Sequence, residues 1–279
     1  MTRDRLQLVW KVLIIGLFVA LARTGAARAD GLPHGTLFYL SAPGGGTVNG
    51  VAYADEDVLR YSPDESPHWT LHFDGSAAGL PAAADIDAYD YSFNAATFTG
   101  FHYMSFDRPV VVPGLGQVDD SDIVLYHTGL LGNTWSLFFD GSTYGLTTDA
   151  EDIDGLTMGN GTFMISTTGN FTVPAPNGTV YQGRDEDIVM WESAAYAFTW
   201  VKRGVDMGIP KANDFNNLSF AGGSMFYNLL KPAVVNGLSL EAHDVAAEQG
   251  TLDGADVAVM LDGGDVGLPK IDALDVYVP

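Results

Sequence analysis

The chain has 279 residues, of which 47% are apolar, and a formal net charge of −22. That charge argues against nucleic acid and anionic lipid as partners, because both attract Lys and Arg. The sequence contains no Cys, which excludes disulfides, zinc–thiolate centres and cysteine nucleophiles. Its apolar content predicts a sizeable core, and its 33 Gly predict strands and turns rather than helices.

The first 29 residues have the pattern of a secretory signal peptide. Basic residues precede an apolar run at residues 12–22, and Ala27-Arg28-Ala29 forms a small-x-small cleavage site. A retained membrane anchor is the alternative, although the run is shorter than the roughly 20 residues of a membrane span. Cleavage before Asp30 would remove five of the 13 basic and one of the 35 acidic residues, leaving a formal charge of 8 − 34 = −26. We expect a secreted, periplasmic or cell-surface protein with no membrane insertion after signal removal.

Four features recur along residues 30–279, which indicates internal repeats of about 60 residues. The first is an apolar strand, at residues 37–41, 102–106, 163–166 and 225–229. The second is an acidic turn before another strand. Its copies are Asp55-Glu56-Asp57, Asp119-Asp120-Ser121-Asp122, Asp185-Glu186-Asp187 and the degenerate His243-Asp244. The spacing of 65 residues between the first and second copies, and again between the second and third, supports this alignment.

The third feature is an apolar strand that ends in a Gly turn, at residues 69–75, 135–141, 198–204 and 257–263. Trp69, Leu71 and Phe73 share one face of such a strand, and we expect that face to be core. The fourth feature is a short strand that begins with Ile-Asp or a related pair. Its copies are Ile86-Asp87-Ala88, Ile153-Asp154-Gly155, Phe215-Asn216-Asn217 and Ile271-Asp272-Ala273. Each repeat therefore carries about four short strands.

Tight turns indicate how these strands group into units. Gly159-Asn160-Gly161 and Gly222-Gly223 join the Ile-Asp strand to the strand that follows it, because Gly and Asn accept the positive φ of a hairpin turn. The resulting units are residues 85–142, 152–204, 214–263, and a fourth made of residues 37–75 with 271–278. We predict an all-β, four-bladed β-propeller-like ring, a single domain over residues 30–279, whose last blade is closed by strands from both termini. An open β-repeat stack and two β-sandwiches are the alternatives.

Two strands begin with Ile-Asp-Ala, at Ile86 and at Ile271, and the predicted ring is closed by the two termini. These two features resemble a hemopexin-type propeller. The resemblance implies a four-bladed ring that holds ions in its central channel. The chain departs from that family in its longer repeats, and it has no Cys to join the first and last blades.

The Ile-Asp strands are the candidates for the innermost strands of the ring. Asp87, Asp154, Asn216 and Asp272 would then occupy equivalent places near the axis. Oxygen donors that converge from four blades suit a hard divalent cation, and we predict Ca²⁺ at these residues. Alternatively, these side chains accept backbone N–H groups or face water, and Lys270 pairs with the acidic ring in place of a metal.

The acidic turns are a second candidate cation site. No copy matches the twelve-residue Ca²⁺ loop with its central Gly and terminal Glu. Asp and Ser also bind their own backbone where strands begin, and we favour that structural role.

Catalytic patterns are sparse in this chain. His68 and His72 are four residues apart, which on a strand separates them by roughly 13 Å, too far to share a metal. The sequence contains no Gly-x-Ser-x-Gly, His-Glu-x-x-His or phosphate-loop motif. We favour an exported binding or scaffold protein, stabilised by the axial cation, for an unidentified protein or glycan ligand. An extracellular glycan hydrolase with paired carboxylates and an adhesion or assembly protein are the alternatives.

Overall fold

The computed structural model describes residues 32–159, 162–249, 257–268 and 270–279. Within these ranges the chain forms four antiparallel four-stranded sheets and four two-stranded ribbons. The sheets are the blades of a ring. The predicted signal peptide, and Asn160 and Gly161 of the predicted turn, lie outside the described residues.

The strands repeat in the same order in every blade. The first blade begins with β1 (Leu37–Ser41), β2 (Gly46–Val48), β3 (Val51–Tyr53), β4 (Val58–Tyr61) and β5 (Trp69–Phe73). The second contains β6 (Ile86–Asn94), β7 (Thr99–Phe106), β8 (Val110–Val112), β9 (Gly116–Val118), β10 (Ile123–Thr128) and β11 (Thr134–Phe139). The third contains β12 (Gly155–Met158), β13 (Thr162–Ser166), β14 (Phe171–Pro174), β15 (Val180–Gly183), β16 (Asp187–Glu192) and β17 (Ala197–Arg203). The fourth contains β18 (Phe215–Ala221), β19 (Ser224–Leu229), β20 (Ala233–Val235), β21 (Leu238–Leu240), β22 (Val245–Gln249) and β23 (Val257–Leu261). The last strand is β24 (Ala273–Tyr277).

Short helices follow the outer strands. They are the 3-10 helices Ser142–Tyr144, Asp149–Glu151 and Gly204–Met207 and the α-helical turn Gly263–Val266. In the described ranges, none of the helices is long and apolar enough to span a bilayer.

Each blade is a meander from the axis outward. The second blade has the order β6-β7-β10-β11, and a ribbon, β8–β9, is inserted between its second and third strands. The other blades repeat this plan. The ribbons were not predicted, because each of their strands has only three or four residues and shows too little alternation to be recognised.

The ring closes through the pairing of the two terminal strands. β24 lies antiparallel to β1, with a register from Leu37 opposite Tyr277 to Ser41 opposite Ala273. The first blade therefore takes its innermost strand from the end of the chain. This pairing confirms the four-bladed ring and rules out the open stack and the paired sandwiches. The innermost strand of each blade is an edge strand of its sheet, and closure of the ring places these four short edges beside one another at the axis.

The hydrophobic cores lie between neighbouring blades. Strand β1 shows why, because Phe38 and Leu40 pack towards the fourth blade while Tyr39 packs towards the second. Both faces of such a strand are buried, so its sequence is a continuous apolar run rather than an alternation. Two further clusters fill the spaces between the second and third blades and between the third and fourth.

The predicted core face of the outer strands is wrong in part. Trp69 and Phe73 are buried, but Leu71 is 40% exposed, and Leu137 in the second blade is 45% exposed. Every outer strand carries a β-bulge, where one residue has no partner on the third strand of its blade. These residues are His72, Phe138, Val201 and Met260. The bulge breaks the period of two, so one face cannot be core along the whole strand.

A circle of hydrogen bonds joins the four inner strands. One side chain on each inner strand accepts the backbone N–H of the next blade, and we call these residues the inner-strand latch. Asp275 accepts from Tyr91 N at 3.2 Å, and Asp90 accepts from Met158 N at 2.8 Å. Thr157 accepts from Phe220 N and Ser219 from Val276 N, both at 3.0 Å. The latch residues each lie three positions after the predicted axial residue of their repeat, so their spacing was visible in the sequence although their role was not.

Candidate functional site

The inner strands all begin at one end of the ring, and acidic residues gather there. Asp87, Asp154, Asn216 and Asp272, predicted to be equivalent, lie at the start of these strands and are 4–8% exposed. Asp87 and Asn216 are unpaired bulge residues at the start of β6 and β18, while Asp154 and Asp272 immediately precede β12 and β24. We call this end the acidic pole. It also contains Asp85, Asp152, Asp214 and Lys270, two residues earlier in each repeat.

Three of the four predicted residues bind polar groups of the protein. Asp154 Oδ1 accepts the Ser166 hydroxyl at 2.8 Å, and the Asn216 side-chain amide donates to the Ile271 carbonyl at 2.7 Å. Lys270 Nζ lies 3.3 Å from Asp272 Oδ1. This is the pairing of Lys270 with the acidic ring that we gave as an alternative to a metal. Among the described residues, Asp87 Oδ1 receives no hydrogen bond.

The preceding row of carboxylates is also incompletely bonded. In the described part of the chain, Asp85, Asp152 and Asp214 each have a buried Oδ1 atom without a hydrogen-bond donor. Asp85 faces Asp272, and Asp152 faces Asp87, at hydrogen-bonding range. Two carboxyl groups at that range need either a proton shared between them or a cation.

Burial and like charge together shift the titration of the acidic pole. Burial, with the nearby Asp272 and Asp107, raises the pKa of Asp85 to about 7. Burial, with the nearby Asp120, raises the pKa of Asp152 to about 8. Burial also raises the pKa of Asp87 well above its usual range, and Asp152 and Asp154 add to the effect. Without a cation, most of these carboxyls are therefore protonated at neutral pH, because burial and like charge penalise the ionised form.

A compact trio of ligand atoms lies elsewhere. Among the described residues, the group whose ligand atoms all lie within 4.8 Å of one another is His243, Asp244 and Asp262. The carboxylates of the acidic pole approach in pairs instead. A cation at the pole would therefore take two carboxylates and complete its shell with carbonyl oxygens and water.

The acidic turns have the structural role that we favoured. In each blade the last Asp of the turn accepts the N–H of the residue three positions earlier and the N–H of the Gly after the outer strand. Asp57 binds Ala54 N and Gly75 N, both at 2.9 Å. Asp122 binds Asp119 N at 2.9 Å and Gly141 N at 3.1 Å. We call this arrangement the turn clamp. Its other copies are Asp187 with Gly204 and Asp244 with Gly263.

The two histidines with shifted pKa values are part of the packing between the first and second blades. Their rings lie 5.4 Å apart, and His102 Nδ1 is 2.7 Å from the Tyr89 hydroxyl. Burial lowers the pKa of His72 to about 4 and that of His102 to about 3. Both imidazoles are therefore neutral at physiological pH.

The ring, its closure and its repeated turn clamps define the chain as a four-bladed β-propeller. No protein-family model matches the sequence, and no curated protein matches it. The hemopexin likeness therefore stays a resemblance of architecture.

Several solved structures resemble the chain in part. A Hadza microbial sialidase shares 13% identity at a TM-score of 0.28, over 79% of this chain and 46% of that one. The extracellular domain of a putative one-component system from B. thetaiotaomicron shares 12% identity at a TM-score of 0.33, over 77% and 32%. A Lactobacillus plantarum protein shares 10% identity at a TM-score of 0.37, over 86% and 98%. The chain thus spans less than half the length of the first two, and likenesses at these scores carry no argument about function.

Proposed function

We propose that this chain is an exported binding or scaffold protein whose acidic pole binds a divalent cation, Ca²⁺ in the first instance. The observation that supports the proposal is the row of buried Oδ1 atoms without a donor at Asp85, Asp87, Asp152 and Asp214. Export rests on the sequence of the first 29 residues.

A cation at the pole competes with protons, because burial raises the pKa of Asp152 to about 8 and that of Asp214 to about 10. Burial of an ionised carboxylate without a partner costs free energy. Each unit by which burial raises the pKa corresponds to about 1.4 kcal/mol of that cost. The pKa of Asp85, about 7, means that this carboxyl is already half ionised near neutral pH. A bound cation would displace these protons and neutralise the facing carboxylates. The donors here are oxygens, which suits a hard cation with a flexible shell of 6–8 ligands.

One carboxylate of the pole is already paired with a positively charged side chain of the protein. Lys270 neutralises Asp272, which belongs to the first blade. The bound ion is therefore expected beside the other blades, with Asp87 and Asp152 as its principal ligands and Asp154 and Asp214 nearby. Asn216 already donates to a backbone carbonyl, so its amide oxygen is its remaining ligand atom.

Thermal unfolding of the protein in chelator, Ca²⁺ and Mg²⁺ tests this site. A ligand at about 100 times its Kd adds about 2.7 kcal/mol, which for a domain of this size raises Tm by about 5–10 °C. We expect that rise with Ca²⁺ at neutral pH. Asp152→Asn should remove the rise and leave Tm in chelator equal to or above that of the wild type, since it relieves repulsion with Asp87.

Asp262→Asn is the matched control, because it removes one carboxylate from the His243, Asp244 and Asp262 trio and leaves the pole intact. It should keep the full response to Ca²⁺. An unchanged Tm on adding Ca²⁺ to the wild type would refute cation binding. A response that survives Asp152→Asn and disappears in Asp262→Asn would refute the pole as its site.

A further inference from the structure

The third blade departs from the repeat pattern at one place, where it gathers positive charge. Arg203 immediately precedes Gly204 of the turn clamp. The other three blades carry an acid at that position, namely Asp74, Asp140 and Asp262. Arg184 lies at the other end of the same clamp, where its backbone N–H binds Asp187 at 3.1 Å. Its counterparts in the other blades are Ala54, Asp119 and Glu241. Both ends of this clamp are therefore basic in the third blade alone.

These two arginines border a pocket of about 250 Å³. Lys211, from the loop before β18, supplies a third cation, and Gln182 supplies a neutral amide. Glu186 and Asp187 contribute to the wall. The pocket thus combines positive charge with groups that hydrogen-bond neutral polar atoms.

Basic residues are scarce in this protein, which makes the cluster significant. Five of the 13 Lys and Arg lie in the first 29 residues, and three of the remaining eight line this pocket. The rest of the chain is strongly acidic. The pocket is therefore a local reversal of the field that surrounds the protein, and it would attract anions that the rest of the surface repels.

The cations of the pocket are weakly engaged by the protein. Within the described residues, neither Arg203 nor Lys211 has a carboxylate within 4.0 Å. The Arg203 guanidinium lies 5.3 Å from the centre of the Trp200 ring, a contact that orients it without neutralising it. Asp187 interacts with Arg203 and Arg184 through charge at longer range, while its two oxygens bind the backbone N–H groups of the turn clamp.

Glu186 is a buried residue of the pocket wall that has Asp185 at hydrogen-bonding range. It is 1% exposed, and in the described structure neither of its carboxyl oxygens receives a hydrogen bond. Arg184 Nη1 lies 3.6 Å from Oε1. A buried carboxyl group at this position can accept a hydrogen bond from a ligand hydroxyl beside the cations.

We propose that this pocket binds a small polyhydroxylated carboxylate, of the size and chemistry of a hexuronic acid. Arg203 and Lys211 bind the carboxylate, since a guanidinium fork matches its two oxygens. Gln182 and Glu186 hydrogen-bond the hydroxyl groups. The three cations of the site are not part of the acidic pole, although Glu186 lies near enough to Asp214 of the pole to raise its pKa.

Calorimetric titration of the protein with D-glucuronate, in chelator and at low and physiological salt, tests the assignment. We expect a Kd of about 1 mM or lower. Glucose should not bind at the same concentrations, and inorganic phosphate should bind at least about tenfold more weakly, because it lacks the hydroxyl pattern. Arg203→Gln should weaken glucuronate binding by about tenfold or more, the loss of one charge-assisted pair.

Lys202→Gln is the matched control, since it removes the same charge from the neighbouring position of β17, which is outside the pocket wall. It should change the Kd less than about twofold. Absence of glucuronate binding, or equal weakening by Lys202→Gln and Arg203→Gln, would overturn the site. Phosphate binding as tight as glucuronate binding would overturn the ligand class. The thermal response to Ca²⁺ should be the same in Arg203→Gln as in the wild type, so this proposal and the cation proposal can fail separately.

Discussion

The geometry of the turn clamp predicts that Gly141→Ala, which adds a single methyl group, strongly lowers the free energy of unfolding. This residue follows β11, and its N–H donates to Asp122 Oδ1 at 3.1 Å. A Cβ at Gly141 would lie 2.9 Å from the carbonyl carbon of Ser121 and closer still to its oxygen. The obstacle is backbone and not the end of a flexible side chain. Gly141→Ala would therefore force the acidic turn away from the outer strand.

The size of the effect follows from these contacts. The two backbone segments would have to separate by roughly 1 Å to restore ordinary contact distances. Overpacking of this kind costs about 1–3 kcal/mol. The same movement weakens a hydrogen bond to a charged group, which contributes about 1.5–3 kcal/mol. We therefore expect a loss of about 3–5 kcal/mol, or a fall in Tm of roughly 6–20 °C for a domain of this size.

Thermal and denaturant unfolding of Gly141→Ala beside Gly129→Ala measures this directly. Gly129 is a good control because its Cβ would meet neighbours at 3.4 Å or more, which is ordinary contact, and its φ is not positive. We expect Gly129→Ala to change stability by less than about 0.5 kcal/mol. If Gly141→Ala melts within about 2 °C of Gly129→Ala, the clamp does not hold the turn as described.

Two further predictions concern the ring and its pH dependence. Ser219→Ala removes the acceptor of Val276 N and a donor to Asp275, and should lower the free energy of unfolding by about 3 kcal/mol in denaturant titrations. Ser136→Ala, at an exposed serine, is the control and should cost less than about 0.5 kcal/mol. Equal losses in the two variants would contradict the latch. Because burial lowers the pKa of His102 from 6.5 to about 3, the unfolded chain binds a proton below pH 6.5 that the folded chain does not. Wild-type stability should therefore fall relative to His102→Gln by up to about 1.4 kcal/mol per pH unit between pH 6.5 and pH 4, and a pH-independent difference between the two would refute this.

The repeat and the number of blades were predictable because their signals are local. A Gly-Gly turn such as Gly222-Gly223 has φ values of +59° and +81°, which strongly favour Gly, so two adjacent residues are enough to indicate the hairpin. The Ile-Asp pairs likewise mark the start of each inner strand, which placed Asp87, Asp154, Asn216 and Asp272 at the axis. The split blade followed because the fourth of these strand starts lies near the C-terminus, while the N-terminal unit lacks one.

The bonding of the same residues was not predictable from their spacing. Asp87 and Asp154 are equivalent in the repeat, yet Ser166 donates to Asp154 Oδ1 while Asp87 Oδ1 has no donor among the described residues. The outer strands show the same limit, since the bulge at His72 breaks an alternation that the sequence displays without interruption. Such differences arise from neighbours in other strands, which a local pattern does not report.

The sequence by itself determined the four blade strands of each repeat, the turns and the fourfold repeat, because each depends on the φ preferences and apolar pattern of a few consecutive residues. Tertiary structure decided which side chains of the acidic pole lack donors, how the latch runs around the ring, and that Arg184, Arg203 and Lys211 meet at one pocket. These depend on contacts between different blades: Tyr91 and Asp275 of the latch are 184 residues apart in the chain. The physical reason is that the partner of a buried polar group is chosen by the packing of sheets against one another, which no short stretch of sequence contains.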